Sequence, residues 1–199
     1  MASATALCRL EPNAVFIQTE QTPNPATLKF LPGRAVVESG TANFPEASSA
    51  SRSPLAQRLF DVEGITGVFF GSDFITITKG EDREWYLLKP AILGVIMEHF
   101  TAGRPVLLPD EAPDLAAAED EEPDEVVAQI KELLDTRVRP AVAQDGGDIV
   151  FHGFDGGVVY LHMQGACAGC PSSTATLKMG IENMLRHYIP EVQEVRAIA

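Results

Sequence analysis

Two cysteines three positions apart, Cys167 and Cys170, stand in the stretch Gln164-Gly165-Ala166-Cys167-Ala168-Gly169-Cys170-Pro171-Ser172-Ser173, and no other residues in the chain are better suited to chemistry. An alternating apolar run precedes them and a helical pattern follows, which predicts a tight loop between a strand and a helix N-terminus. Pro171 suits the first helical position, where a missing N–H costs nothing. Ser172, Ser173 and Thr174 complete a first turn whose side chains can meet open backbone donors. The positive end of a helix favours thiolate over thiol, and thiolate is the form that binds metals and attacks disulfides. Gly165 and Gly169 leave the backbone free to approach a bulky ligand. Three chemistries fit the spacing: half of the four-thiolate set of an iron–sulfur cluster, a thioredoxin-like dithiol, or half of a zinc site. Two small residues that merely tighten a turn are the bland alternative.

The elements that position this loop belong to a chain of 199 residues, room for one or two domains with a core each. No run of eighteen apolar residues is present, so no segment is expected to span a membrane. The net charge of −13 is concentrated in one place: residues 110–125 hold nine acids and no base, leaving about −2 on either side. The low isoelectric point therefore reflects one segment, and the basic patch that nucleic-acid binding requires is missing. Three cysteines are too few for a secreted disulfide framework. Residues 1–14, which include the isolated Cys8, make a poor signal peptide and are expected to form a disordered extension.

Residues 15–104 read as a first α+β domain. Val15–Glu20 and Thr27–Leu31 predict strands joined as a hairpin across Thr22-Pro23-Asn24-Pro25. Residues 38–53 predict a long loop. Pro54 opens a short helix with Leu55 and Leu59 on one face. Strands are expected at Gly67–Phe70 and Phe74–Lys79 around Gly71-Ser72-Asp73. A helix from Pro90, just after Trp85, carries the stripe Ile92, Val95, Ile96, His99 and Phe100 and ends at Gly103. His99 lies on that stripe and reads as a core histidine, because no second ligand-type residue stands three or four positions away. Turn chemistry accounts adequately for Thr22–Pro25, and a recognition turn is the other reading of it.

Residues 105–123 read as an acidic, flexible linker, a solvated spacer that lets two domains move independently. The second domain, 124–199, opens with a helix bearing Val127, Ile130, Leu134 and Val138 and ended by Pro140. Gln144-Asp145-Gly146-Gly147-Asp148 is a turn. Asp145 and Asp148 belong to that turn before they are candidate catalytic carboxylates. A hairpin follows, Ile149–Phe154 and Val158–Met163 about Asp155-Gly156-Gly157, with Val159, Leu161 and Met163 facing the core. After the cysteine loop comes a helix with Leu177, Ile181, Met184, Leu185 and Tyr188 on one face. A short strand carrying Val192, Val195 and Ile198 closes the order α-β-β-α-β.

This order disfavours the dithiol. A thioredoxin-like fold needs a parallel crossover before the active helix, and Ala166 stands where an aromatic residue usually precedes the first cysteine. A zinc site lacks two ligands. His152 and His162 lie on the hairpin, but nothing puts either beside the cysteines. An iron–sulfur cluster also lacks two ligands, yet two chains about a twofold axis would supply them. No serine–histidine–aspartate order, phosphate loop or dinucleotide fingerprint is present.

Residues 124–199 resemble the C-terminal domain of NifU-type proteins. The features that carry the likeness are Asp145-Gly146-Gly147-Asp148, Gly165-x-Cys167-x-x-Cys170-Pro171-Ser172-Ser173 and Tyr188-Ile189-Pro190-Glu191-Val192. Residues 15–104 resemble the N-terminal domain of the Nfu subgroup. There the marks are Phe16-Ile17-Gln18-Thr19, Thr22-Pro23-Asn24-Pro25 with Leu28-Lys29-Phe30, Phe69-Phe70-Gly71-x-Asp73-Phe74-Ile75-Thr76, and Leu88-Lys89-Pro90. The resemblance implies a non-enzymatic scaffold or carrier that holds a [4Fe–4S] cluster between two subunits through Cys167 and Cys170. It also implies upstream assembly proteins as donors, apo iron–sulfur proteins as acceptors, and a homodimer when the cluster is bound. Neither nucleic acid nor a membrane is implied, and the compartment is the bacterial cytoplasm or, in a eukaryote, the mitochondrial matrix. A dithiol oxidoreductase using the Cys167/Cys170 pair is the alternative from another class, and a zinc-stapled interaction module the third. Cys8 and the leader lie outside the family pattern, and the further cysteine-rich domains of full-length NifU are not found.

Overall fold

The computed structural model describes residues 16–108, 125–168 and 171–198. The leader with Cys8, most of the acidic segment, Asp124, Cys170 and the side chains of residues 171–174 lie outside the described residues. Two α+β units are seen, as expected. The first is a five-stranded antiparallel sheet with helices on one face. Its strands are β1 (Gln18–Gln21), β2 (Thr27–Leu31), β3 (Ala42–Phe44), β4 (Ile65–Phe70) and β5 (Ile75–Lys79), in the order β1-β2-β5-β4-β3. The predicted hairpins, β1 with β2 and β4 with β5, both form. Alternation decides which side chains enter the core. Leu28, Phe30, Val68, Phe70, Ile75 and Ile77 point to the helices α1 (Pro54–Phe60) and α2 (Trp85–Thr101) and are buried there with Leu55, Leu59, Ile92 and Ile96. Ser53 caps α1, accepting from the Ala56 N–H at 3.0 Å. His99 is fully buried, edge-on to Phe100, and burial is the largest cause holding its imidazole below the ordinary range.

Three features differ from the sequence reading. The segment 38–53 is not all loop: β3 pairs with β4 and buries Phe44 completely, and a short 3-10 helix runs from Ala47 to Arg52. Helix α2 starts at Trp85, so Pro90 lies inside it. Glu84 O receives the Leu87 and Leu88 amides, and the Trp85 indole donates to Pro25 O at 3.1 Å, so tertiary anchoring adds the extra turn. Pro140 does not end the first helix of the second unit. The helical run α3 (Glu125–Leu133) widens into a π turn over Leu134–Val138 and continues as α4 (Arg139–Gln144). The wide turn, in which the Arg139 N–H reaches Leu134 O, puts Pro140 in a new first turn where it needs no donor.

The second unit continues with β6 (Gly147–Asp155), β7 (Val158–Gly165), α5 (Pro171–Tyr188) and β8 (Glu194–Ile198). Strands β6 and β7 form the predicted hairpin, and β8 returns parallel to β7 after the α5 crossover. Val159, Leu161 and Met163 are buried against Ile130, Leu134, Ile181 and Leu185, while Val158, Tyr160 and His162 face the other way and are only half-buried. No described helix is long and apolar enough to cross a membrane.

Candidate functional site

Cys167 sits where β7 gives way to α5. Gly165 turns the chain with φ 61°, a conformation open to glycine, and the loop closes on itself through Cys167 N to Gln164 O (3.3 Å) and Ala168 N to Gly165 O (3.1 Å). The neighbouring turn at Asp145-Gly146 and the start of β6 at Gly147-Asp148 supply the other wall. Gly146, at φ 84°, accepts the Ala166 N–H at 3.1 Å. Gly147 faces the thiol directly: a Cβ there would lie 2.5 Å from Cys167 Sγ and 2.8 Å from Gln164 O. Cys167 is only 6% exposed and belongs to the second unit's apolar core. Burial, followed by the charges of Asp145 and Asp148, pushes its thiol up to about 12. In this arrangement it is a neutral thiol.

Asp148 itself is buried at 3% exposure, and its carboxylate is fully engaged. Arg139 grips it with Nε on Oδ1 and Nη2 on Oδ2, both at 2.8 Å; the Ile149 amide donates to Oδ1 at 2.8 Å, and Thr41 Oγ1 donates to Oδ2 at 2.9 Å. The guanidinium is raised well above its ordinary value by these bonds, chiefly that to Asp148, and by Asp135 at 3.1 Å. Asp148 therefore braces the start of β6 beside Cys167; the strand begins at Gly147, two residues earlier than the sequence reading placed it. His162 approaches Gln164 at 3.3 Å, and His152 is exposed on β6. Among the described residues no three histidine, cysteine or acidic side chains converge to hold a metal ion.

Sequence reasoning missed that the site is walled by both units. Among the described residues, four side chains of the first unit donate to the second. Asn24 Nδ2 reaches Ala168 O at 3.0 Å; Thr76 Oγ1 reaches Gly146 O at 2.6 Å; Lys29 Nζ reaches Gln144 O at 3.0 Å and Ala143 O at 3.3 Å. Thr41 on Asp148 is the fourth. Asn24 also serves its own turn, its Oδ1 accepting from the Ala26 N–H at 3.0 Å. The units are docked, whereas the acidic segment led us to expect independent motion.

Comparison with known proteins matches the two units in their order along the chain. The family profile "Scaffold protein Nfu/NifU N terminal" matches residues 17–103, and the profile "NifU-like domain" matches residues 130–196. The human protein named "NFU1 iron-sulfur cluster scaffold homolog, mitochondrial" is 55% identical over 92% of this chain and 72% of its own length. A Drosophila sechellia protein of the same name is 56% identical over 93% of this chain, and the Arabidopsis thaliana "NifU-like protein 4, mitochondrial" is 54% identical over 91%. The chain spans 65% of the length of each of these two. With both profiles matched in order along one chain, this protein belongs to the Nfu/NifU family of iron–sulfur cluster scaffold proteins.

Proposed function

We propose that this chain carries a [4Fe–4S] cluster as cargo, held between two copies through Cys167 and Cys170, and passes it to apo-proteins. The observation that carries the reading is the placement of Cys167: it lies on a glycine-lined loop at the end of β7, three residues before the last position ahead of α5, where the second cysteine of the pair stands in the sequence. Thiolates at the head of a helix suit an iron–sulfur cluster, and the cargo supplies iron sites that each want one soft ligand. The names of the relatives, which describe iron–sulfur scaffolds, support the same reading. So does their description as mitochondrial, which favours the matrix for a eukaryotic source. A carrier needs no catalytic residue.

Anaerobic reconstitution with iron and sulfide, read by absorbance, iron content and Mössbauer spectra, tests the proposal. A brown protein with a [4Fe–4S] signature is expected, and either Cys167→Ser or Cys170→Ser should abolish it. Iron binding that survives both substitutions would overturn the ligand assignment.

A further inference from the structure

We propose that the first domain is a clamp on the cysteine loop of the second, and that its release is the step that precedes cluster uptake. The proposal rests on Cys167 being a cargo ligand.

The face of the first sheet turned away from α1 and α2 carries Lys29, Phe69 and Thr76. The outer face of an antiparallel sheet ordinarily meets water and is polar. Here Phe69 and Thr76 are each 1% exposed and Lys29 7%, although none of them belongs to the first domain's core. Phe74 of the same domain packs on Phe69 and Lys29, and the second domain covers the rest. A Cβ on Gly165 would lie 2.9 Å from the Phe69 ring, and one on Gly146 would lie 2.8 Å from Thr76 Oγ1. A lysine is seldom buried without partners. The ammonium of Lys29 has Glu20 at 3.5 Å and the Phe74 ring in its own domain and, across the interface, the carbonyls of Ala143 and Gln144 at the C-terminal end of the α3–α4 run, where the helix dipole favours a cation.

The polarity of the contact is one-sided. Among the described residues, Asn24, Lys29, Thr41 and Thr76 all donate, and their acceptors lie on residues 143–148 or on Ala168. Those two short segments are the walls around Cys167. With Gly146 O and Ala168 O both held, the loop is fixed in the form that turns Cys167 inward against Gly147, packed in the second domain's core. A thiol so placed is out of reach of a cluster shared with a second chain. The loop must turn outward to ligate, and that motion breaks the bonds from Asn24 and Thr76. A contact made mainly of a few hydrogen bonds and one ring is of the kind that opens readily, as polar inter-domain interfaces do.

The test uses the full chain. Small-angle scattering of the cluster-free protein should give a compact particle with the two domains in contact, and the cluster-loaded protein should give separated domains. Thr76→Val, alone and combined with Lys29→Met, keeps side-chain volume while deleting donors. These variants should expand the cluster-free particle and raise the rate of Cys167 alkylation, followed by peptide mass spectrometry, by about tenfold, the worth of one or two buried hydrogen bonds. They should load cluster faster and reach the same final iron content. A wild-type cluster-free particle whose domains are already apart would overturn the clamp, and that measurement depends on no variant. Unchanged alkylation and uptake in folded variants would overturn it too. If no form binds a cluster, the cargo reading fails, while scattering and alkylation still decide whether the clamp exists.

Discussion

Gly147 and Cys167 approach so closely that a methyl group on the glycine would stand 2.5 Å from the sulfur. Gly147 does not need glycine's conformational freedom, since its φ is not positive; it needs the missing side chain. Gly147→Ala should therefore push the cysteine loop outward at a cost of about 1–3 kcal/mol, typical of overpacking. Urea unfolding of the cluster-free variant measures this. An unchanged midpoint would mean that the loop yields without resistance.

The environment of Cys167 also predicts a pH dependence. Its thiol titrates at about 12 in the folded chain and near 8.5 when unfolded. The native state thus holds the proton more tightly. The stability linked to this group is fully present below the unfolded value and is lost as pH rises from about 8.5 toward 12. Stability measured between pH 7 and 11 should fall more steeply for the wild type than for Cys167→Ala, the comparison that cancels tyrosine and lysine titration. Parallel curves would place Cys167 in water rather than in the core.

Asp148 should be the costliest acid to remove from the second domain. It is buried with four hydrogen bonds, two of them from one guanidinium. Asp148→Ala strips Arg139 of its main partner, but that side chain is 37% exposed and can still reach water and Asp135. The loss should be about 3 kcal/mol, the low end for a broken buried pair. Thermal denaturation checks it, with Asp135→Ala, at the exposed end of the same network, expected to cost about 0.5 kcal/mol or less.

How far the sequence could be read depended on how local each signal was. The strand at Val158–Met163 declared itself because side chains alternate with period two, and α5 because Leu177, Ile181 and Leu185 repeat on one helical face. Strand β3 was hidden, since Ala42-Asn43-Phe44 is three residues in a serine- and alanine-rich stretch and is held only by its partner β4. Pro90 and Pro140 looked like helix boundaries because the bonds that accommodate them, Trp85 to Pro25 and Arg139 to Leu134, are not visible in a local pattern. Domain docking was the deepest omission. Lys29 and Thr76 look like the ordinary polar face of half-buried strands. The one clue was Val68-Phe69-Phe70, where an aromatic residue interrupts the alternation and faces the wrong side for the core.

Assembly gives the last prediction. The pair Cys167 and Cys170 offers two thiolates per chain, and a [4Fe–4S] cluster has four irons to ligate. Cys8, the remaining cysteine, lies far away in sequence. Among the described residues no further set of histidines or acids converges to complete the count. Two chains about a twofold axis bring four sulfurs without any new residue, and closed symmetry of this kind is the commonest form of self-association. The loaded state then depends on protein concentration, because it requires two chains. The acidic segment of each chain repels the other only modestly, and salt screens that repulsion. Cluster-free protein should be mainly monomeric. Loaded protein should sediment anaerobically as a dimer with about four irons per two chains, and Cys8→Ser should change neither result. Two glutathione molecules could replace the thiolates of the second chain; in that case a monomer would carry a full cluster and lose it on dialysis, and the bridging arrangement would be wrong.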